Sequence, residues 1–253
     1  MCTGQLPGWQ VILLESVDST NTYLLNLPSE MKEEGLVVRA KAQTQGRGRL
    51  GRHWESPGEK GLWFSVLLKQ VLPADKNYLL VFSAALAVAR SLEKMMPCFP
   101  EIKWPNDVLI NRKKVAGILL EQRGKPVPDN FVVVGIGINT RQTRDDFSEA
   151  YGYHATSLQL ACGSAIEDED LFKEVLRQLS VFYSHYKQGE ETLIRDSFFK
   201  AGRYWGERVR LAQGNRIYEG TAVRIHSEGG LILKMQDKEQ SFFAGDLLLK
   251  EWW

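Results

Sequence analysis

The chain has 253 residues, of which 43% are hydrophobic and 25% charged, as is ordinary for a globular protein with a substantial core. Its 32 basic and 31 acidic residues give a net charge of +1, which argues against broad nucleic-acid binding. Three scattered cysteines and four histidines offer neither a disulfide framework nor a metal cluster by spacing, and no apolar run is long enough to span a bilayer.

The first two thirds of the chain are predicted to form a sheet packed with helices. Runs rich in β-branched and large apolar residues predict strands over 10–14, 36–42, 62–68, 102–104, 108–110, 115–121 and 131–138. The cap and turn formers at 18–21 lead into a short helix that stops before Pro28. A broad apolar stripe predicts a long helix over 76–96, with Asp75 as its cap.

The character of the sequence changes after Gly202. Before this point, two amphipathic helices are predicted over 169–187 and 190–200. After it, glycine-containing turns separate short strands predicted over 209–212, 217–225, 231–235 and 240–243, which is typical of a small β-barrel. We therefore predict two domains, with residues 1–204 forming the larger domain and residues 205–253 the barrel.

Glycines and arginines alternate at 46–52, between two predicted strands. Glycine lets the backbone come close to a ligand, and arginine supplies a planar fork of donors that matches phosphate or carboxylate oxygens. Arg47, Arg49 and Arg52 therefore predict a loop that grips an anion. The alternative is a solvated basic loop, and the run by itself does not decide between the two.

Four further segments place polar residues where strands end, at 19–21, 103–107, 114–121 and 135–139. Lys114 lies at the mouth of a strand, Asp107 is a candidate metal-shell or ribose ligand, and Asn139 carries an amide able to read a base. Taken singly, each feature also has an ordinary explanation. Lys114 and Asp107 are common turn residues, and the pair Gly135 and Gly137 could relieve packing against the long helix.

Together and in this order, the segments resemble the biotin protein ligases. That family's motifs Gly-Arg-Gly-Arg-x-Gly, Lys-Trp-Pro-Asn-Asp, Lys-x-Ala-Gly-Ile-Leu-x-Glu and Gly-x-Gly-Ile-Asn stand at 46–51, 103–107, 114–121 and 135–139. The resemblance covers nearly the whole chain. It implies an α+β fold, in which a mixed β-sheet with packed helices, related to class II aminoacyl-tRNA synthetases, is joined to a small C-terminal SH3-like β-barrel.

The resemblance also implies a two-step reaction. The carboxylate of biotin attacks the α-phosphate of ATP, giving biotinyl-5′-AMP and pyrophosphate, and a lysine of the biotin carboxyl carrier protein of a biotin-dependent carboxylase then takes the biotinyl group. ATP and Mg²⁺ are the implied cofactors, and biotin is a substrate. Because the catalytic motifs begin almost at once and no secretory leader precedes them, we expect a monofunctional cytoplasmic ligase without a DNA or membrane partner. A homodimer is left open.

Carried over position by position, the resemblance assigns residues to overlapping groups. The implied biotin site comprises Ser19, Thr20, Asn21, Gln43, Arg47, Gly48, Arg49, Lys114 and Gly117. The implied nucleotide site comprises Arg49, Trp54, Asn106, Asp107 and Asn139. Lys114, Arg47 and Arg49 are the implied catalytic residues, since two anions must meet and cations have to neutralise them. Asp107 is the candidate ligand for a magnesium ion that arrives with ATP.

Two other functions compete with this interpretation. A lipoate ligase or octanoyltransferase would share the fold, but those proteins resemble one another through an Arg-Arg-x-x-Gly-Gly-Gly loop that this sequence lacks. An RNA-binding module could use the arginine loop and the barrel. The near-zero net charge and the lack of interleaved aromatic and basic residues in the barrel disfavour it.

Overall fold

The computed structural model describes residues 2–6, 8–122, 130–148, 154–164, 166–236 and 238–252. Its larger sheet has eight strands, which are β1 (Cys2–Leu6), β2 (Trp9–Val17), β3 (Leu36–Gln43), β4 (Gly61–Lys69), β5 (Glu101–Lys103), β6 (Asp107–Ile110), β7 (Lys113–Glu121) and β8 (Phe131–Asn139). They lie side by side in the order β1-β2-β3-β4-β8-β7-β6-β5. The β2–β3 pair is parallel and the other described pairs are antiparallel, so the sheet is mixed, as predicted.

Helices cover both faces of this sheet. They are α1 (Thr20–Leu25), α2 (Tyr78–Met95), α3 (Leu158–Cys162), α4 (Asp168–Lys187) and α5 (Glu191–Ala201). On one face α2 lies between strands β5–β8 and the helices α4 and α5. On the other face α1 packs over Val38 and Leu67 in a second, smaller apolar cluster. Since successive strand residues point to opposite faces, the alternate residues Val37 and Val66 belong to the main core instead.

The long helix begins later than the sequence predicts. Pro73 accepts a backbone bond from Lys76 at 2.9 Å, which closes a single 3-10 turn over Ala74–Lys76. Helix α2 then starts at Tyr78, with Asn77 as its N-cap residue. The prediction that Asp75 caps the helix is therefore wrong, because the fixed φ of proline starts a separate turn that contains Asp75.

The C-terminal sheet has five antiparallel strands, which are β9 (Arg208–Gln213), β10 (Arg216–Ile225), β11 (Leu231–Met235), β12 (Lys238–Phe242) and β13 (Asp246–Leu248). Their order is β12-β11-β10-β9-β13. Gly229 takes a positive φ of 82° in the turn before β11, a conformation that glycine adopts without strain. The Trp104 side chain donates to the Gly229 carbonyl at 3.0 Å, and its backbone N–H donates to the Tyr204 hydroxyl at 3.1 Å. These bonds join the two sheets through a shared core.

The predicted strands and long helices all overlap observed elements, and the predicted fold class is confirmed. Among the strands and α-helices of the described residues, β1, α3 and β13 are absent from the sequence prediction. Each has five residues or fewer, which is too short for hydrophobic periodicity to define. Within the described residues, none of the helices is both long and apolar enough to cross a membrane.

Candidate functional site

A cavity of about 480 Å³ opens where the ends of β3, β7 and β8 meet the arginine loop (46–52) and β13. This volume is within the range of small-molecule sites. All the residues that the sequence assigned to a site line the cavity, namely Ser19, Thr20, Asn21, Gln43, Arg47, Gly48, Arg49, Trp54, Asn106, Asp107, Lys114, Gly117 and Asn139. The structure thus brings the predicted residues together in one place, while their individual roles stay predictions.

The arginine loop folds back on itself beside the cavity. The Gly48 N–H donates to the Arg52 carbonyl at 2.7 Å, and the Trp54 N–H donates to the Gly46 carbonyl at 2.9 Å. A Cβ placed on Gly46 would lie only 2.3 Å from the Trp54 carbonyl oxygen. Glycine at this position is therefore required by the close approach of two backbone segments.

The barrel holds this loop against the cavity. Arg49 donates to the side-chain oxygen of Asn106 and to the Gly245 carbonyl, both at 3.1 Å, and lies 3.5 Å from Asp246. Arg52 pairs with the same carboxylate. Because Asp246 is 194 positions beyond Arg52 in the chain, no local pattern in the sequence could have indicated it. The arginine loop is thus contacted both by Asn106 of the larger sheet's segment and by Gly245 and Asp246 of the C-terminal segment.

At the predicted biotin end, polar side chains are already paired with one another. The Gln43 side-chain oxygen accepts from the Thr20 N–H at 2.9 Å, and the hydroxyls of Thr20 and Ser65 lie 2.7 Å apart. Ser65 donates to Asn21 Oδ1 at 2.5 Å, and Asn21 Nδ2 donates to Glu121 at 2.8 Å. Because each group is held by its neighbours, the cluster presents a fixed pattern of donors and acceptors to a ligand.

Two members of this cluster, Ser65 and Glu121, were not assigned to the site from the sequence. Glu121 Oε2 also accepts from Arg47 at 2.9 Å, so it links the arginine loop to Asn21. Its position as the last residue of the 114–121 motif was the available signal. Ser65 lies in the middle of the apolar strand β4, where a single buried serine gave no signal of its own.

The glycines of β8 make room for side chains of the site. A Cβ on Gly135 would lie 2.3 Å from Asn21 Oδ1, and one on Gly137 would lie 2.7 Å from Trp54 Nε1. On β7, a Cβ on Gly117 would lie 3.0 Å from the Trp54 ring. These neighbours favour a role in the site over the alternative of relieved packing against α2. Because the three glycines lack side chains, Asn21 and Trp54 can pack directly against the backbone of β7 and β8.

Asp107 joins two lysines in the cavity wall. Lys114 Nζ lies 2.6 Å from Asp107 Oδ1, and Lys103 Nζ lies 3.0 Å from Oδ2. Burial alone would raise the pKa of Asp107, but the two ammonium groups outweigh burial and hold the pKa well below its usual range. Lys103 is buried, donates to the Leu247 carbonyl at 3.0 Å and lies 3.8 Å from the centre of the Trp252 ring. The three charged groups leave one net positive charge at the cavity.

This pairing bears on the predicted metal ligand. Both oxygens of Asp107 face ammonium groups, which would repel a divalent cation placed beside them. In the described ranges, His, Cys, Asp and Glu form no group of three or more that could hold a metal ion. Asp107 therefore does not fit the role of a direct magnesium ligand. Its position, 2.6 Å from Lys114 Nζ, instead suits a role in orienting the Lys114 side chain.

Comparisons with known proteins agree with this geometry. The model of the Biotin/lipoate A/B protein ligase family matches residues 13–139. The bifunctional ligase/repressor BirA of Bacillus spizizenii is 33% identical over 97% of this chain and 75% of its own length. The biotin–[acetyl-CoA-carboxylase] ligase of Mycobacterium tuberculosis is 32% identical over 95% of this chain and 90% of its own.

A solved structure extends the likeness to three dimensions. The biotin protein ligase of Aquifex aeolicus, in complex with biotin and ATP, superposes with a TM-score of 0.81 at 30% identity. It covers 94% of this chain and 97% of its own. Since the family model spans half of the chain and the relatives are similar over nearly all of it, the chain belongs to the Biotin/lipoate A/B protein ligase family, among the biotin protein ligases.

Proposed function

We propose that this protein is an ATP-dependent ligase that activates biotin as biotinyl-5′-AMP and transfers the biotinyl group to a lysine of a biotin carboxyl carrier protein. The observation that carries the proposal is the single cavity that contains the arginine loop, Lys114 and the polar cluster around Asn21. It combines a neutral hydrogen-bonding end with a cationic end. That combination matches biotin, whose ureido group is polar and uncharged and whose carboxylate must meet a phosphate.

The first step joins two anions. An oxygen of the biotin carboxylate bonds to the α-phosphorus of ATP, and the bond to pyrophosphate breaks. Arg47, Arg49 and Lys114 supply the positive charge that this encounter needs. In the second step the amine of the carrier lysine attacks the acyl carbon, loses a proton, and AMP leaves. Fixing the reactants in line contributes up to roughly 7–11 kcal/mol toward the barrier of such a step.

Magnesium enters this proposal only with the nucleotide. Ligases of this kind act on ATP with Mg²⁺, and the ion supplies charge neutralisation to the phosphates. Since Asp107 is committed to Lys103 and Lys114, we assign no residue of this chain as a direct ligand. Three further elements of the proposal rest on the sequence, namely a domain limit after residue 204, the lack of a DNA partner and a cytoplasmic location.

The nature of the acyl group can be tested directly. The protein is incubated with ATP, Mg²⁺ and an equimolar mixture of biotin and lipoate, and the adenylates are identified by mass spectrometry. We expect biotinyl-5′-AMP, because the cluster around Asn21 offers hydrogen bonds that the ring of lipoate cannot satisfy. A lipoyl-adenylate in excess would overturn the proposal in favour of a lipoate ligase.

Arg49→Gly is expected to make the protein release biotinyl-5′-AMP about tenfold faster or more, because charge-assisted bonds to the phosphate are lost. The freed adenylate should then biotinylate lysines of a bystander protein such as albumin, detected with streptavidin. Arg52→Gly is the matched control, since Arg52 shares the loop and the partner Asp246. If both variants leak equally, the effect belongs to tethering of the loop by the barrel and the phosphate contact of Arg49 is refuted.

A further inference from the structure

The side chain of Asn139, in the cavity wall at the end of β8, has a defined orientation. Its Nδ2 donates to the Thr156 carbonyl at 3.0 Å. A backbone carbonyl can only accept a hydrogen bond, so the amide nitrogen must face Thr156 and the oxygen Oδ1 must face the opposite way. This anchor removes the usual ambiguity between the two ends of an asparagine amide.

Gln142 secures the other end of the same amide. Its Nε2 donates to Asn139 Oδ1 at 2.9 Å. Gln142 is itself 2% exposed, and its backbone carbonyl accepts from the hydroxyl of Ser157, the N-cap residue of α3, at 2.6 Å. Asn139 is thus bonded at both ends, which fixes the plane of the amide as well as its direction.

Each end of the Asn139 amide keeps one unused bonding capacity. Nδ2 has a second N–H, and Oδ1 has a second lone pair. A donor beside an acceptor on one planar edge is the complement of adenine, which offers its N6 amino group beside a ring nitrogen. Guanine carries an acceptor oxygen where adenine has that amino group, so it would face Asn139 Oδ1 with like polarity.

Burial of the Gln142 side chain contributes little to the stability of the fold. Its own Oε1 is buried without a hydrogen-bond partner among the described residues, and an unpaired buried acceptor is destabilising relative to an apolar side chain. An apolar residue of the same length would avoid that cost. What the glutamine supplies is the N–H to Asn139.

The segment that contains Thr156 is hydrogen-bonded to β7, the strand that carries Lys114. The Lys114 N–H donates to the His154 carbonyl at 2.7 Å, and the Thr156 N–H donates to the Lys114 carbonyl at 2.9 Å. The carbonyl that anchors Asn139 is therefore held in register with Lys114. A base read by Asn139 would lie at a fixed distance from the ammonium group that faces the phosphate.

We propose that Gln142 is a positioning residue that sharpens the preference for an adenine nucleotide, because it fixes the plane of the Asn139 amide, whose nitrogen and oxygen the Thr156 carbonyl already places in the order that adenine requires. This inference rests on the proposed function, because it takes the nucleotide to be the second substrate of the cavity. Gln142 itself does not touch the base. It acts through Asn139.

The test compares Gln142→Met, which keeps the length of the side chain and removes its donor, with Gln142→Glu, which replaces the donor by an acceptor. Biotin-dependent exchange of pyrophosphate into ATP and into GTP gives kcat/KM for both nucleotides. We expect the ratio of ATP to GTP to fall about tenfold in Gln142→Met, the equivalent of one well-placed hydrogen bond, and further in Gln142→Glu. The KM for biotin and the melting temperature of Gln142→Met should stay near the wild-type values.

Asn139→Ala completes the test, because Gln142→Met should change the nucleotide ratio no further in that background. An unchanged ratio in Gln142→Met, or a loss that affects ATP and GTP equally, would reduce Gln142 to a structural role and overturn the inference. Failure of the wild-type protein to exchange pyrophosphate with either nucleotide would instead overturn the proposed function. The two failures are thus distinguishable.

Discussion

Lys114→Ala should slow formation of biotinyl-5′-AMP by on the order of 10²–10³ while the protein stays folded. Lys114 Nζ lies in the cavity wall, 2.6 Å from Asp107 and 5.0 Å from the centre of the Trp54 ring. Asp107 thus holds the ammonium group at the cavity wall, and the proposed reaction brings the carboxylate and the α-phosphate together in this cavity. Loss of the Lys114 ammonium group removes a positive charge that would stabilise the negative charge accumulating in the transition state.

The fold should tolerate this change because Asp107 keeps its second partner, Lys103, at 3.0 Å. Single-turnover quench experiments measure the adenylation rate, and thermal unfolding measures stability. Lys113→Ala is the matched control, since it removes the neighbouring lysine of β7, which is not among the residues lining the cavity. A first step of near-wild-type rate in Lys114→Ala would remove this residue from the mechanism.

Much of the fold and the site could be predicted because both depend on local patterns. The strand Phe131–Asn139 is rich in valine and isoleucine, and this composition predicts its burial in the middle of the sheet. The motif residues Lys114, Asp107 and Asn139 lie at strand ends, and neighbouring strands bring their ends together. Order along the chain was therefore enough to predict one shared site.

What could not be predicted depends on contacts between distant segments. Asp246 belongs to a three-residue strand and reaches the arginine loop from the other sheet. The sequence places Lys103 in a predicted strand and gives no sign of its partner. Its hydrogen bond to the Leu247 carbonyl forms only when β13 packs beside it. Gln142 stands in a polar segment where nothing in the sequence separates it from a solvated residue. In each case the partner, rather than the residue type, determines the role.

The largest expected change in stability follows from Asp107→Asn, which should lower the free energy of unfolding by roughly 3–5 kcal/mol, as is typical when one partner of a buried ion pair is removed. The variant keeps the shape of the side chain but leaves the ammonium groups of Lys103 and Lys114 without a counter-charge. Lys114 is partly exposed and can reach water, whereas Lys103 is buried against Trp252. Lys103 therefore accounts for most of the expected loss.

The dependence on pH has a defined sign. Burial already lowers the pKa of Lys103 in the wild type, and Asp107 opposes that shift. Without Asp107 the pKa of Lys103 should fall further, so the unfolded chain binds more protons than the folded one between this lowered pKa and the ordinary lysine value. Stability then increases with pH in that range. The deficit of Asp107→Asn relative to wild type should accordingly shrink as the pH rises from 7 toward 10.

Urea unfolding at pH 7 and at pH 9.5 measures both effects, with Glu239→Gln as the control for an exposed pair. Glu239 and Arg224 are each about half exposed, so that substitution should change the free energy of unfolding far less than Asp107→Asn does. The double variant Lys103→Met with Asp107→Leu should recover most of the lost stability, because it removes the buried lysine together with its partner. A loss below about 1 kcal/mol in Asp107→Asn, or no recovery in the double variant, would show that water reaches this cluster and that Asp107 does not hold the two lysines in a desolvated arrangement.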